Sequence, residues 1–379
     1  MSLIATFLKN NVCFLTADLL WSSREELNRE FPLPFSGRIS ATKLLGGKLL
    51  ANPVNLMQKL YIIDETLCIV FSGNYVEIKL FLEDLTKFWS YSKENQNRVR
   101  LFEFLSSFDL YTNFTQSSFL LQFAEKVDEG LPMLFDIRHG KIYEIQHPVY
   151  GLIHATGSGS NGFLEIIEKK TIYDFPENDG TQMYVLISHL SLLAHLLTRE
   201  RFSLETIADA WGGGFETAVF QNDRFVRMDK IAYVICNGKY LDDAVTKTEH
   251  LLLPNLLMYY EYYKGVLQIT SFDFTQRPEV EYADTSINLT YRKFLSNKFI
   301  VPGISQDEVV IEEIEKMSNS FSTARLAAGF ILTRPENKYL FPSFFDDFGN
   351  YVVRFDETEN IVTLTLAMHW VELYSKKLE

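Results

Sequence analysis

The first eighteen residues, MSLIATFLKNNVCFLTAD, place two short apolar runs around the polar tripeptide Lys9-Asn10-Asn11 at the very start of the chain. Chain termini are usually loose, whereas apolar runs of this length around a polar turn read as a β-hairpin. A hairpin that begins at residue 2 commits the terminus to a core and demands partner strands elsewhere.

Candidates follow in order. KLYIIDETLCIVFSG has two apolar runs around Asp64-Glu65, and NYVEIKLFLEDLTKFWSY has apolar residues at helical spacing. A second helix is expected at about 93–109 and a strand at SFLLQFAE, while PMLFDIRHGKIYEIQ reads as a hairpin turning at Arg138-His139-Gly140. YGLIHATGSGSNGFLEIIEKK reads as strand, glycine turn and helix, and GTQMYVLISHLSLLAHLLTRE as a long buried helix. A further helix opens at Ser203 and stops at the WGGG run, before the hairpin FETAVFQNDRFVRMDKIAYVI. Strands, two helices, strands, helices and strands in that order predict an α+β fold of two stacked antiparallel sheets with helices outside, a four-layer αββα sandwich. This domain is expected over residues 1–244, with a proline- and glycine-rich insert at about 25–57.

Residues 245–379 read as a C-terminal α+β extension. It holds the aromatic hairpin LLLPNLLMYYEYYKGVLQITSFDF, an acidic helix near 306–320, an alanine-containing helix near 321–332 and the hairpin NYVVRFDETENIVTLTLAMHW. The MYYEYYKG cluster at 258–265 either docks a partner or packs the extension against the first domain.

Composition narrows the function. With 36 basic against 49 acidic residues and a net charge of −13, the chain lacks the clustered lysine and arginine that phosphate binding needs, so no nucleic-acid partner is expected. Cys13, Cys68 and Cys236 sit in apolar runs without CxxC spacing and read as small buried hydrophobes. Lys9 and the asparagines interrupt any secretory h-region, and no apolar run is long enough to span a bilayer. A cytoplasmic protein with no membrane partner, starting at Met1 or Ser2, is expected. The seven histidines show no HExxH, and His189 and His195 lie six apart on an apolar helix, so neither metal nor cofactor is expected. GSGSNG satisfies GxGxxG, but a dinucleotide site needs an acidic strand end about twenty residues on, and the turn-rich YDFPENDG stands near there instead.

Four segments in series resemble the proteasome β-subunit branch of the N-terminal-nucleophile (Ntn) hydrolases. They are Ser2 with TAD ending at Asp18, Lys59 followed through FSG to Gly73, GSGS at Gly157 to Ser160, and Asp209-Ala-Trp-Gly-Gly-Gly. The resemblance covers residues 2–237. It implies a peptide or protein substrate and a homo-oligomeric ring or stack, and leaves an ATPase partner open. Two positions depart from the pattern. The Asp18 to Lys59 interval is lengthened by the insert, which makes Lys43 the alternative lysine, and Gly212 stands where the family has serine.

The chemistry is coherent in its own right. A serine hydroxyl needs a base to become nucleophilic, and a free α-amine, with a pKa of roughly 7.7–8, serves at neutral pH. Initiator methionine is normally trimmed before a side chain as small as serine, which would give Ser2 both groups. Lys59 is assigned to hold the amine unprotonated, Asp18 to orient Lys59, and Gly73 at a helix mouth to donate its N–H to the oxyanion. The resemblance leaves Ser158 and Asp209 available for the network that positions the amine. The competing expectations are an inactive scaffold that keeps Met1 and binds a partner, and a hydrolase of small non-peptide amides.

Overall fold

The computed structural model describes residues 2–9, 12–23, 30–34, 37–39, 52–91, 96–107, 116–124, 137–138, 142–169, 182–239, 253–284, 286–304, 308–318, 320–321, 325–333, 338–345 and 352–367. Lys43 lies outside them. The chain forms two compact units, the first of residues 1–185, 203–228 and 301–307, and the second of 186–202, 229–300 and 308–379.

The first unit starts with β1 (Ile4–Lys9), β2 (Val12–Asp18), β3 (Leu20–Ser23), β4 (Phe31–Leu33), β5 (Gly37–Ile39), β6 (Asn52–Leu56), β7 (Leu60–Asp64) and β8 (Leu67–Ser72). Helices α1 (Tyr75–Tyr91) and α2 (Arg98–Ser107) come next, then β9 (Ser118–Phe123), β10 (Ile137–Arg138), β11 (Tyr143–His147) and β12 (Gly151–Thr156). Helices α3 (Ser160–Lys169), α4 (Gln182–Ser203, of which residues 186–202 count with the second unit) and α5 (Glu205–Ala208) precede β13 (Phe215–Gln221) and β14 (Arg224–Arg227). One sheet runs β11-β12-β1-β2-β13-β14 and another β10-β9-β8-β7, both antiparallel, and β3-β6 and β4-β5 are two-stranded.

Alternation along β2 explains its burial on both faces. Cys13, Leu15 and Ala17 point at Leu60, Cys68, Val70 and Leu120 of the four-stranded sheet. On the opposite face Phe7, paired with Phe14 in register, meets Phe163 of α3 edge-on at 6.2 Å. Helix α1 buries Ile78, Phe81, Leu82, Leu85 and Trp89 on the four-stranded sheet, the 3.6-residue spacing that its sequence shows. Asn74 caps it, its Oδ1 accepting the N–H groups of Val76 (2.9 Å) and Glu77 (3.3 Å).

The second unit contains β15 (Ile231–Lys239), β16 (Pro254–Tyr263), β17 (Val266–Phe274), β18 (Glu279–Tyr282), β19 (Ser286–Tyr291), β20 (Phe294–Val301, its last residue counted with the first unit), α6 (Glu308–Lys316), β21 (Arg325–Thr333), β22 (Lys338–Phe345), β23 (Val352–Asp356) and β24 (Ile361–Ala367). Its sheets run β20-β17-β16-β15-β21-β22 and β18-β19-β24-β23. Stacked rings join them, with Phe274 on Tyr291 at 3.7 Å and Phe272 against Phe355 at 4.8 Å.

Several expectations are corrected. The chain is not a four-layer αββα sandwich with an extension: among the described residues strand outweighs helix, 49% against 27%, and is spread over separate small sheets with few helices. The strands after residue 229 build sheets of their own, so the two-sheet account fails for the chain as a whole. The units divide at 228/229 rather than at 244, because β15 pairs with β16 and β21. The expected hairpin over PMLFDIRHGKIYEIQ does not form, since β10 pairs with β9 and β11 with β12. The expected helix at 321–332 is instead β21, parallel to β15. Two of the MYYEYYKG aromatics pack inside their own unit, Tyr259 stacked on Phe321 at 3.7 Å and Tyr260 edge-on to Tyr233 at 5.3 Å, while Tyr263 is exposed.

Candidate active site

The N-terminal strand delivers Ser2 to the end of the six-stranded sheet. Pairing of β1 with β12 puts Ile4 opposite Thr156, so the GSGS turn that follows Thr156 wraps over Ser2. The Ser2 N–H donates to Ser158 Oγ at 2.9 Å, and the Ser2 carbonyl accepts from the Gly159 N–H at 3.1 Å. Gly157 makes this approach possible: at φ +96° a Cβ there would stand 2.2 Å from the Ser2 carbonyl oxygen. Ser2 itself is buried, 1% exposed.

Asp18 ends β2, the hairpin partner of the Ser2 strand, and its carboxylate accepts three donors. They are Lys59 Nζ at 2.7 Å, the Leu3 N–H at 2.9 Å and the Gly212 N–H at 2.9 Å. Lys59 Nζ also donates to the Leu20 carbonyl at 2.5 Å. An ammonium has three N–H donors, and these two bonds use two of them. Both side chains are fully buried. Burial lowers the Lys59 ammonium below its ordinary value, while Asp18 and then Glu216 pull it back up. Burial likewise raises the Asp18 carboxyl, opposed by Lys59 and by the Leu3 and Gly212 N–H groups.

Gly73 follows β8 directly, one residue before the Asn74 cap of α1. Its neighbour Ser72 places Oγ 3.5 Å from the point where a Gly157 Cβ would stand, the point that lies 2.2 Å from the Ser2 carbonyl oxygen. Ser72 and Ser2 thus approach Gly157 together. Asp209 follows α5 on an exposed turn, with Oδ2 3.6 Å from the Cβ position of Gly162 in the first turn of α3. Trp211, fully buried, lies over Gly159 and links the two glycine segments.

The departure at 212 has a structural role. Gly212 adopts φ +118°, a region open to glycine, and uses its N–H on Asp18 Oδ2 and its carbonyl on the Leu19 and Leu20 N–H groups at 3.2 and 2.9 Å. Its backbone holds the aspartate that holds the lysine.

Sequence reasoning missed Glu216. This buried carboxylate on β13 accepts the backbone N–H of Lys59 and, at 2.8 Å, that of Leu60. An acidic residue within the otherwise apolar strand FETAVF was the available signal. Removing one acceptor leaves two buried donors unpaired, each worth about 1–3 kcal/mol. Glu216→Ala is therefore expected to lose roughly 2–6 kcal/mol in urea denaturation, and a loss below about 0.5 kcal/mol would contradict the clamp.

The rival reading of GSGSNG fails on topology. Strand β12 runs antiparallel to both of its neighbours, whereas a dinucleotide-binding unit is built on parallel strands. His189 is buried, with its pKa lowered to about 3 by that burial, so it is neutral. No helix among the described residues is long and apolar enough to cross a membrane. No protein-family model matches the chain, and no curated protein matches it significantly.

Proposed function

We propose that this chain is an N-terminal-nucleophile amide hydrolase acting on peptides, in the manner of the proteasome β-subunit family, and that Ser2 is its nucleophile once Met1 is removed. The observation that carries the reading is the buried Lys59–Asp18 pair on the strand partner of Ser2, with Ser158 Oγ hydrogen-bonded to the Ser2 nitrogen. In this reaction the freed amine takes the Ser2 Oγ proton as the oxygen bonds to the amide carbon. The Lys59 charge keeps the amine unprotonated, and the Gly73 N–H is the proposed donor to the oxyanion. The C–N bond then breaks, the proton passes to the departing amine, and water hydrolyses the ester left on Ser2. The same resemblance supports a ring or stack of identical copies, and the unpaired-looking cysteine pattern of the sequence supports a cytoplasmic setting.

Treatment with a peptidyl β-lactone is expected to acylate Ser2, and Ser2→Ala is expected to abolish both labelling and peptide hydrolysis. Labelling of Ser2→Ala at the wild-type rate would overturn the assignment. A second reading, a non-catalytic scaffold, is favoured by one observation: Ser2 is 1% exposed with its nitrogen serving as a hydrogen-bond donor. That reading requires Met1 to be retained and Ser2 to stay unlabelled.

A further inference from the structure

Lys59 sits in a connection, residues 57–59 between β6 and β7, that has no strand ladder of its own, yet its backbone donors are all occupied. The Met57 N–H reaches the Leu19 carbonyl at 2.9 Å, and those of Lys59 and Leu60 reach Glu216. Gln58 takes its acceptors from far along the chain. Its N–H donates to the Pro302 carbonyl at 3.0 Å and its Nε2 to the Val301 carbonyl at 2.8 Å, while its Oε1 accepts from Arg227 Nη1. Gln58 is 1% exposed, so water does not replace those acceptors. The same short segment reaches the helix that follows Gly73. Ile304 is buried among Ile78, Phe81 and Leu85 of α1, and its carbonyl accepts from Tyr75 Oη at 3.1 Å.

We propose that Val301–Ile304, a segment outside the stretch that resembles the hydrolase family, is a positioning clip that fixes Lys59 through Gln58 and ties it to the α1 end carrying Gly73. Its catalytic consequence rests on the function proposed above. A lysine that tunes an amine must hold its place closely, since a displacement of about 1 Å can cost on the order of 100-fold in rate. The clip supplies this restraint from residues Val301 to Ile304, part of the stretch 301–307 that counts with the first unit.

The test uses the full chain with Gln58→Leu, and with Tyr75→Phe as a milder variant at a partly exposed position. Gln58→Leu is expected to lower kinact for β-lactone acylation of Ser2 roughly 10- to 100-fold with KI unchanged. It is also expected to speed amide exchange at Leu60 and Phe71, whose N–H groups bond to Glu216 and to the Lys59 carbonyl. Tyr75→Phe should produce smaller changes of the same sign, and decides the matter if Gln58→Leu does not fold. Unchanged kinact and unchanged exchange in a folded variant would overturn the clip. If the wild type is not acylated at all, the proposed function fails, and exchange at Leu60 and Phe71 alone decides the clip.

Discussion

Lys59→Met is expected to lower Ser2 acylation by a factor on the order of 1,000 and to cost about 3–5 kcal/mol of stability, because it strands a buried carboxylate. Asp18 is fully buried with Lys59 as its one cationic partner among the described contacts, so no solvent screens the orphaned charge. Adding Asp18→Asn should recover part of the stability and none of the acylation, since the pair is coupled in folding while, in the proposed mechanism, the Lys59 charge is what tunes the amine. Urea denaturation of the two variants and wild type closes the cycle. A Lys59→Met variant within about 1 kcal/mol of wild type would show that the pair is not an ion pair in solution.

Gly157→Ala is expected to be the next most damaging change. Its Cβ would meet the Ser2 carbonyl oxygen at 2.2 Å, a backbone contact that no side-chain rotation relieves. Displacing Ser2 from Ser158 should lower acylation roughly 100-fold, beside a backbone strain of about 1–3 kcal/mol. Gly37→Ala separates the two effects. Gly37 has φ +72° with nothing within 4 Å of its Cβ position, so its variant carries the strain without the collision and should label like wild type. Equal loss of labelling in both variants would remove the GSGS turn from the account.

The elements of the first unit were largely legible in the hydrophobic pattern, whereas the candidate site was named from the family resemblance. Ser2, Asp18, Lys59, Gly73, Ser158 and Asp209 were picked out through the resemblance to the hydrolase family, and strand pairing sets the start of β1 beside the ends of β2 and β12 and the start of β7 beside the end of β8. Glu216 was hidden for a physical reason: a carboxylate in a strand normally reads as an outward position of an alternating pattern, and here it points inward to two backbone donors. RLAAGFILT carries alanines and leucines that favour helix in isolation, but it lies between β15 and β22, where the sheet overrides propensity. The separation of β10 from β11 into different sheets was likewise unreadable, since a Gly-containing turn between two short runs says nothing about where each run finds its partner. Gly212 looked like a loss against the family pattern. Its N–H on Asp18 Oδ2 makes it instead a support for the lysine.

The central claim concerns one residue carrying both an amine and a hydroxyl. Intact-mass and N-terminal peptide analysis of the purified protein, after incubation with a peptide epoxyketone, tests it most directly. The account predicts an N-terminal peptide that begins at Ser2 and carries the mass of one reagent molecule. A peptide that begins at Met1, or one that begins at Ser2 and stays unmodified at high reagent concentration, would contradict it.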